Sequence, residues 1–272
     1  MSFIDSHCHL PNLRHKDELE RILRDAGNWD VRGFINIGTS LKENAEAIEV
    51  AEKYKSVYAT VAIYPHEHRG DDIGDLMNQV DAQARSSDRV VAIGECGVDV
   101  SDWKNQRPLE EQAPLFEEQV KLSQELGLPL IIHSRKGDST VMEVLSRYDG
   151  VRGVVHCFDS TWEVAQKLLN LGFYISFSGL ITYESRKALL EVVKNVPSDR
   201  YLIETDAPSL LPEPAKTEVL EAKTTRKKGP RKNEPKYVRM VGQKVAEVRE
   251  ISLEEVALQT RVNTCRLFGL ES

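Results

Sequence analysis

Eight short apolar runs recur along the chain, each followed by a stretch of helical period, and this strict alternation leaves few folds open. The predicted strands are Phe3–His7, Gly33–Gly38, Val57–Ile63, Val90–Glu95, Leu130–His133, Gly153–Cys157, Phe173–Ser178 and Arg200–Thr205. Nearly all are continuously apolar rather than alternating, the pattern of strands covered on both faces. Helices are predicted between them at Asp17–Asp25, Glu43–Tyr54, Ile73–Ala84, Glu110–Leu126, Ser139–Tyr148, Trp162–Leu171 and Arg186–Lys194. Two more, about Pro235–Val248 and Leu253–Leu267, follow, the latter with Glu255 at the capping-box position after Ser252. Within 272 residues this predicts an α/β chain folded as a (βα)8 TIM barrel with its active site at the C-terminal mouth; an open doubly wound sheet is the alternative. No internal repeat or linker divides the chain, so residues 1–272 are expected to form a single barrel, with a basic loop over 212–234 after the eighth strand.

Hydrophobic residues at 40% and charged residues at 29% exclude a disordered or collagen-like chain. No apolar run approaches the roughly 20 residues that cross a bilayer, and MSFIDSHCHL lacks the pattern of a signal peptide, so a cytoplasmic protein without membrane contact is expected. Cys8, Cys96, Cys157 and Cys265 are widely spaced with no CxxC pair, which predicts reduced thiols. A net charge of -7 argues against binding polyanions over the whole surface. The stretch from Lys216 to Lys236, however, holds eight Lys or Arg against three Glu. It is either a solvated surface or, at the mouth, a phosphate-tracking loop using Lys223, Arg226, Lys227, Lys228, Arg231 and Lys232.

Five of seven histidines fall at or just after predicted strand ends: His7, His9, His66, His133 and His156. In Asp5-Ser6-His7-Cys8-His9 the two-residue spacing puts both imidazoles on one face of an extended chain, where they can bind one cation, while Cys8 points away into packing. Gly94-Glu95-Cys96-Gly97-Val98-Asp99 offers Glu95 as a carboxylate able to bridge two cations; Asp99 is expected in the following loop, as an ordinary or a functional carboxylate. His133 and His156 each end an apolar strand, a place where a lone histidine is more often a core residue. Asp206 ends the eighth. Four histidines and two carboxylates at five strand ends suit a pair of divalent cations.

The pieces FIDSHCHL, YPHE, AIGECGVD, LPLIIHSR, VVHCF, YLIETDAP and RKNEPKYV, in that order over almost the full length, resemble the TatD-family metal-dependent deoxyribonucleases of the amidohydrolase-like barrels. The resemblance implies two divalent ions, Zn2+, Mn2+ or Mg2+. His7, His9 and Asp206 would hold one, His133 and His156 the other, with Glu95 shared. It implies that His66 contacts the scissile phosphate and that Arg135, Asn233 and Glu234 line the substrate cleft. Two departures stand out. Tyr64 replaces the first histidine of the usual HPH, and the segment from Val100 to Trp103 lacks the usual aromatic run.

The implied activity is hydrolysis of DNA phosphodiester bonds, as a 3′-5′ exodeoxyribonuclease acting on single strands or 3′ ends. A water activated by the two cations would attack, Asp206 would take its proton, and His66 and Arg135 would donate to the phosphoryl oxygens. Two rivals use the same residues: a small-molecule amidohydrolase or phosphoesterase, and a non-catalytic barrel that binds nucleic acid or a protein. Relatives of the first kind commonly bridge their metals with a carboxylated lysine, where this chain has Glu95.

Overall fold

The computed structural model describes residues 1–101, 106–216 and 232–271. Each apolar run becomes a parallel strand: β1 Phe3–Cys8, β2 Val31–Asn36, β3 Val57–Val61, β4 Val90–Asp99, β5 Leu130–Arg135, β6 Gly153–Val155, β7 Tyr174–Phe177 and β8 Tyr201–Ile203. The strands pair in chain order, every neighbour parallel. Helices follow each in turn: α1 Lys16–Gly27, α2 Leu41–Lys53, α3 Ile73–Arg85, α4 Leu109–Leu126, α5 Asp138–Leu145, α6 Trp162–Asn170, α7 Leu189–Asn195 and α8 Val238–Arg249, with α9 Leu253–Phe268 at the end. Ser40, Asp72 and Ser252 start α2, α3 and α9 by accepting a backbone N–H of the first turn on their side-chain oxygens.

The sheet curls until β1 and β8 meet. Asp206 N–H donates to His7 O (2.9 Å), and His9 N–H to Ala207 O (2.8 Å). The Asp5 carboxylate completes the seam by accepting from the Thr205 backbone N–H (2.9 Å) and hydroxyl (2.5 Å). Burial pushes Asp5 up to about 8, with the Thr205 bonds pulling the other way. The chain is therefore a (βα)8 barrel rather than an open sheet. Ile35, Val91, Ile131, Val154 and Leu202 of five strands cluster with Leu267 and Phe268 of α9. Arg152, just ahead of β6, holds the Leu267 carbonyl, so α9 plugs the barrel at the end opposite the mouth. Among the described residues no helix is long and apolar enough to cross a membrane.

Some boundaries differ from the sequence reading, for physical reasons. β4 runs on to Asp99, which is a buried strand residue and not a loop carboxylate. The glycines around Glu95 allow this by letting β5 lie unusually close. A Cβ on Gly94 would stand 2.5 Å from Ile131 Cβ; one on Gly97, at φ +136°, would stand 2.1 Å from His133 O. The helix expected from Arg186 starts only at Leu189, because a 3-10 turn, Glu184–Arg186, occupies its first residues. Pro235–Tyr237 is likewise a 3-10 turn ahead of α8.

Gly97→Ala combines a forbidden backbone region with a clash against the β5 backbone. It is expected to cost at least about 3 kcal/mol, lowering the melting temperature by roughly 10 °C. Calorimetry beside the unaltered chain checks this; an unchanged melting temperature would contradict the close β4–β5 approach.

Candidate metal centre

His7 lies one residue before the end of β1, Glu95 within β4, His133 within β5, and His9, His156 and Asp206 just follow β1, β6 and β8. The parallel sheet thus delivers six donors to one point. Glu95 sits at its middle. Its Oε1 lies 2.9 Å from His133 Nδ1 and 3.0 Å from His156 Nε2, and its Oε2 lies 3.3 Å from His7 Nε2 and 3.8 Å from His9 Nε2. Asp206 Oδ1 lies 3.7 Å from His7 Nε2 and 3.6 Å from His9 Nε2. The His7 and His156 rings stack, centroids 3.9 Å apart.

Two ligand atoms each about 2.1 Å from a cation stand roughly 3.0–3.4 Å apart in octahedral or tetrahedral geometry. The donor pairs here straddle that range. Three sets have ligand atoms mutually within 4.8 Å: His7, His9 and Glu95; His7, His156 and Asp206; Glu95, His133 and His156. His7 Nε2, which faces Glu95 and Asp206, is buried without a well-formed hydrogen bond, as expected of a nitrogen whose partner is a cation. Its own environment keeps it neutral and so able to ligate: burial, reinforced by His156, lowers its pKa. Burial would raise Glu95, but His156 and the bonds from His133, His156 and His7 outweigh it and hold this carboxyl well below the usual range. Asp206 follows the same logic: burial opposes, and His9, His7 and His156 win. The donor set fits divalent cations.

A second layer aims these ligands. His133 Nε2 lies 3.2 Å from Asp99 Oδ2, and the Tyr64 hydroxyl donates to the same oxygen (3.0 Å). Burial would raise Asp99, but bonds from His133 and Ser101 bring it far down, so an ionised carboxylate holds the Nε2–H and turns Nδ1 toward Glu95. Burial, and then the charges of Glu95 and Asp99, raise Tyr64, which keeps its phenol a donor. On the other side Glu204 Oε1 lies 3.3 Å from His156 Nδ1 and accepts from Cys157 N–H (2.6 Å), while Oε2 accepts from Ser176 (2.5 Å). Sequence reasoning missed Glu204 and Tyr64 in these positions. A carboxylate two residues before Asp206 and a phenol replacing an expected imidazole were the available signals. Replacing Asp99 with asparagine should weaken divalent-metal affinity about 10–100-fold by releasing the His133 tautomer. Competition with a chromogenic chelator reads this directly, and affinity equal to the unaltered chain would deny the orienting role.

The centre floors a cavity of about 600 Å³, whose wall includes Tyr64, Arg135, Leu180 and Leu210. Arg135 reaches it from the end of β5, held by Asp159, which also binds Arg186 Nε (2.9 Å). Three other residues expected at the substrate cleft have protein partners. His66 Nδ1 accepts from Arg107 N–H (3.1 Å), and its ring stands edge-on to Tyr64, which lines the cavity. Asn233 is buried and donates to Thr205 O (2.8 Å) and Ser209 O (2.6 Å), clamping the turn that carries Asp206. Glu234 accepts from Arg21 (2.7 Å) and pairs with Lys236 (3.0 Å), tying that turn to α1. Lys223, Arg226, Lys227, Lys228 and Arg231 lie outside the described residues, as do Asp102 and Trp103.

A carboxylate shared between two histidine nests at the mouth of a parallel barrel is the architecture of a metal-dependent hydrolase. The family model of TatD-related DNases matches residues 4–269, and the chain belongs to that family. It is 34% identical to the metal-dependent hydrolase YabD of Bacillus subtilis, with 98% of each chain covered. It is 31% identical to the 3'-5' ssDNA/RNA exonuclease TatD of Escherichia coli K12, with 94% of each covered. The solved structure of YJJV, a TatD homolog from Escherichia coli, superposes with a TM-score of 0.85 at 28% identity, over 99% of this chain and 98% of that one.

Proposed function

We propose that this chain is a metal-dependent nuclease that removes nucleotides from the 3′ ends of single-stranded DNA, using two divalent ions. The observation that carries the reading is Glu95, whose two carboxylate oxygens face two separate histidine pairs. His7, His9 and Asp206 would hold one ion, His133 and His156 the other, with Glu95 common to both; zinc, manganese and magnesium are the candidates. Glu95 would hold both ions without modification, which favours this reading over an amidohydrolase that needs a carboxylated lysine. The family resemblance and the TatD exonuclease among the relatives support a nucleic-acid substrate.

When bound, the ions supply positive charge that makes water acidic enough to attack at neutral pH and that offsets charge on the phosphoryl oxygens. Asp206, ionised and lining the cavity, takes the proton of the attacking water. Arg135 holds a phosphate oxygen from the β5 end, its guanidinium steadied by Asp159. Asp99 and Glu204 keep the His133 and His156 rings in place throughout. His66 and the turn around Asn233 and Glu234 support the mouth from behind. The described cysteines are free, which fits the reducing cytoplasm we assign to it.

The test is digestion of 3′-labelled single- and double-stranded DNA across a titration of each metal. Single strands are expected to shorten from the 3′ end in a metal-dependent way, with chelator stopping the reaction. Absence of cleavage with every metal would reject the assignment.

A further inference from the structure

A second, smaller cavity of about 230 Å³ adjoins the metal centre. His9 lines both cavities and so forms part of the wall between them. Thr39, which lines the large cavity, donates its hydroxyl to Glu43, which lines the small one. The two spaces differ in character. The large cavity is lined in part by Arg135. The small one is mixed: Leu10, Pro11, Ile37 and Ala47 supply apolar surface, Asn12 and Asn36 amides, His9 and His15 imidazoles, and Glu43 and Glu46 carboxylates, with no Lys or Arg among the described lining residues. Arg14 binds Glu46 from the solvent side (2.9 Å).

Resting on the nuclease reading, we propose that this small cavity is the subsite for the terminal nucleobase of the strand being trimmed. Glu43 and the Arg14-bound Glu46 bring carboxylates to the lining, and no Lys or Arg of the described lining is there to hold a phosphate, so the occupant is uncharged. Four apolar side chains together with amide and carboxylate acceptors suit a flat ring bearing amino donors, as adenine, guanine and cytosine do. The volume lies below the roughly 300 Å³ at which pockets for drug-sized ligands begin, which limits the occupant to one base. With the scissile phosphate over the metal centre, the polymer lies in the open cavity and a single residue beyond it in the small one. That asymmetry removes one nucleotide at a time.

Ala47→Phe fills the cavity from α2, and Pro11→Trp fills it from the loop after β1, so a folding failure in one leaves the other. Each is assayed on a 3′-ended oligonucleotide, on the same oligonucleotide with no base on its last sugar, and on bis(p-nitrophenyl) phosphate. Both variants should lose about tenfold or more in kcat/KM on the intact end, the scale of one bound base, and keep the p-nitrophenyl ester rate. The unaltered chain should lose the same factor on the baseless end, and the variants should lose nothing further there. Variants that trim intact ends normally, or that lose both substrates equally, would overturn the subsite. Failure of the unaltered chain on oligonucleotides would instead overturn the nuclease reading itself.

Discussion

Glu95→Gln should abolish metal-dependent cleavage, lowering kcat/KM by about ten-thousand-fold or more, the scale seen when a member of a catalytic set is removed. Glutamine keeps the volume between the two histidine pairs, so β4 and β5 have no reason to part. What it removes is the anion that both pairs share, with Oε1 at 2.9 Å from His133 and Oε2 at 3.3 Å from His7. A carboxamide has one oxygen acceptor and an NH2 donor, and the donor would face a nest of imidazoles built for a cation. The loss should therefore appear in metal binding before it appears in catalysis. A ligand present at 100 times its dissociation constant stabilises the fold by about 2.7 kcal/mol. For a chain of this size that is a rise of roughly 5–10 °C in melting temperature on adding metal. The glutamine protein should show little of that rise while remaining folded without metal. If it keeps both the metal-induced shift and the activity, Glu95 is no bridge and the dinuclear reading fails.

The six donors were legible because each ends a continuous apolar run, and in a barrel of parallel strands all such ends meet at one mouth. His7 and His9 are informative through spacing alone, since period two is the strand's own. The supporting residues were harder to see because their partners are distant in the chain. Asp5 reads as a strand carboxylate until it meets Thr205, 200 residues away. Glu204 becomes an orienting group only where β6 and β7 bring His156 and Ser176 to it. Asp99 was obscured by its own neighbours. Glycines usually announce a turn, but Gly94 and Gly97 serve close packing against β5 and keep Asp99 in the strand. His66, Asn233 and Glu234 carry motif positions, yet motif position does not say which way a side chain points. Their bonds to Arg107, Thr205, Ser209 and Arg21 turn them to the structure around the cavity.

Asp206→Asn should separate binding from proton transfer. Asp206 has φ of +54°, in the left-handed region that most residues avoid and that asparagine tolerates as aspartate does. Its backbone N–H to His7 O and its carbonyl to Ser209 N–H (2.8 Å) are untouched by the change. Alanine would add backbone strain to chemical loss, so asparagine is the cleaner variant. The amide oxygen remains an uncharged ligand beside His7 and His9, and metal uptake should fall modestly. An amide does not take a proton from water near neutral pH, however, and losing a positioned base costs about 100- to 10,000-fold. The expected signature is a fall of that size in kcat with KM nearly unchanged, because substrate is held by the metal centre and Arg135 rather than by this oxygen. Metal content measured on the same preparation separates the outcomes. A protein that binds both ions and still cleaves at the unaltered rate would show that the proton leaves by another group.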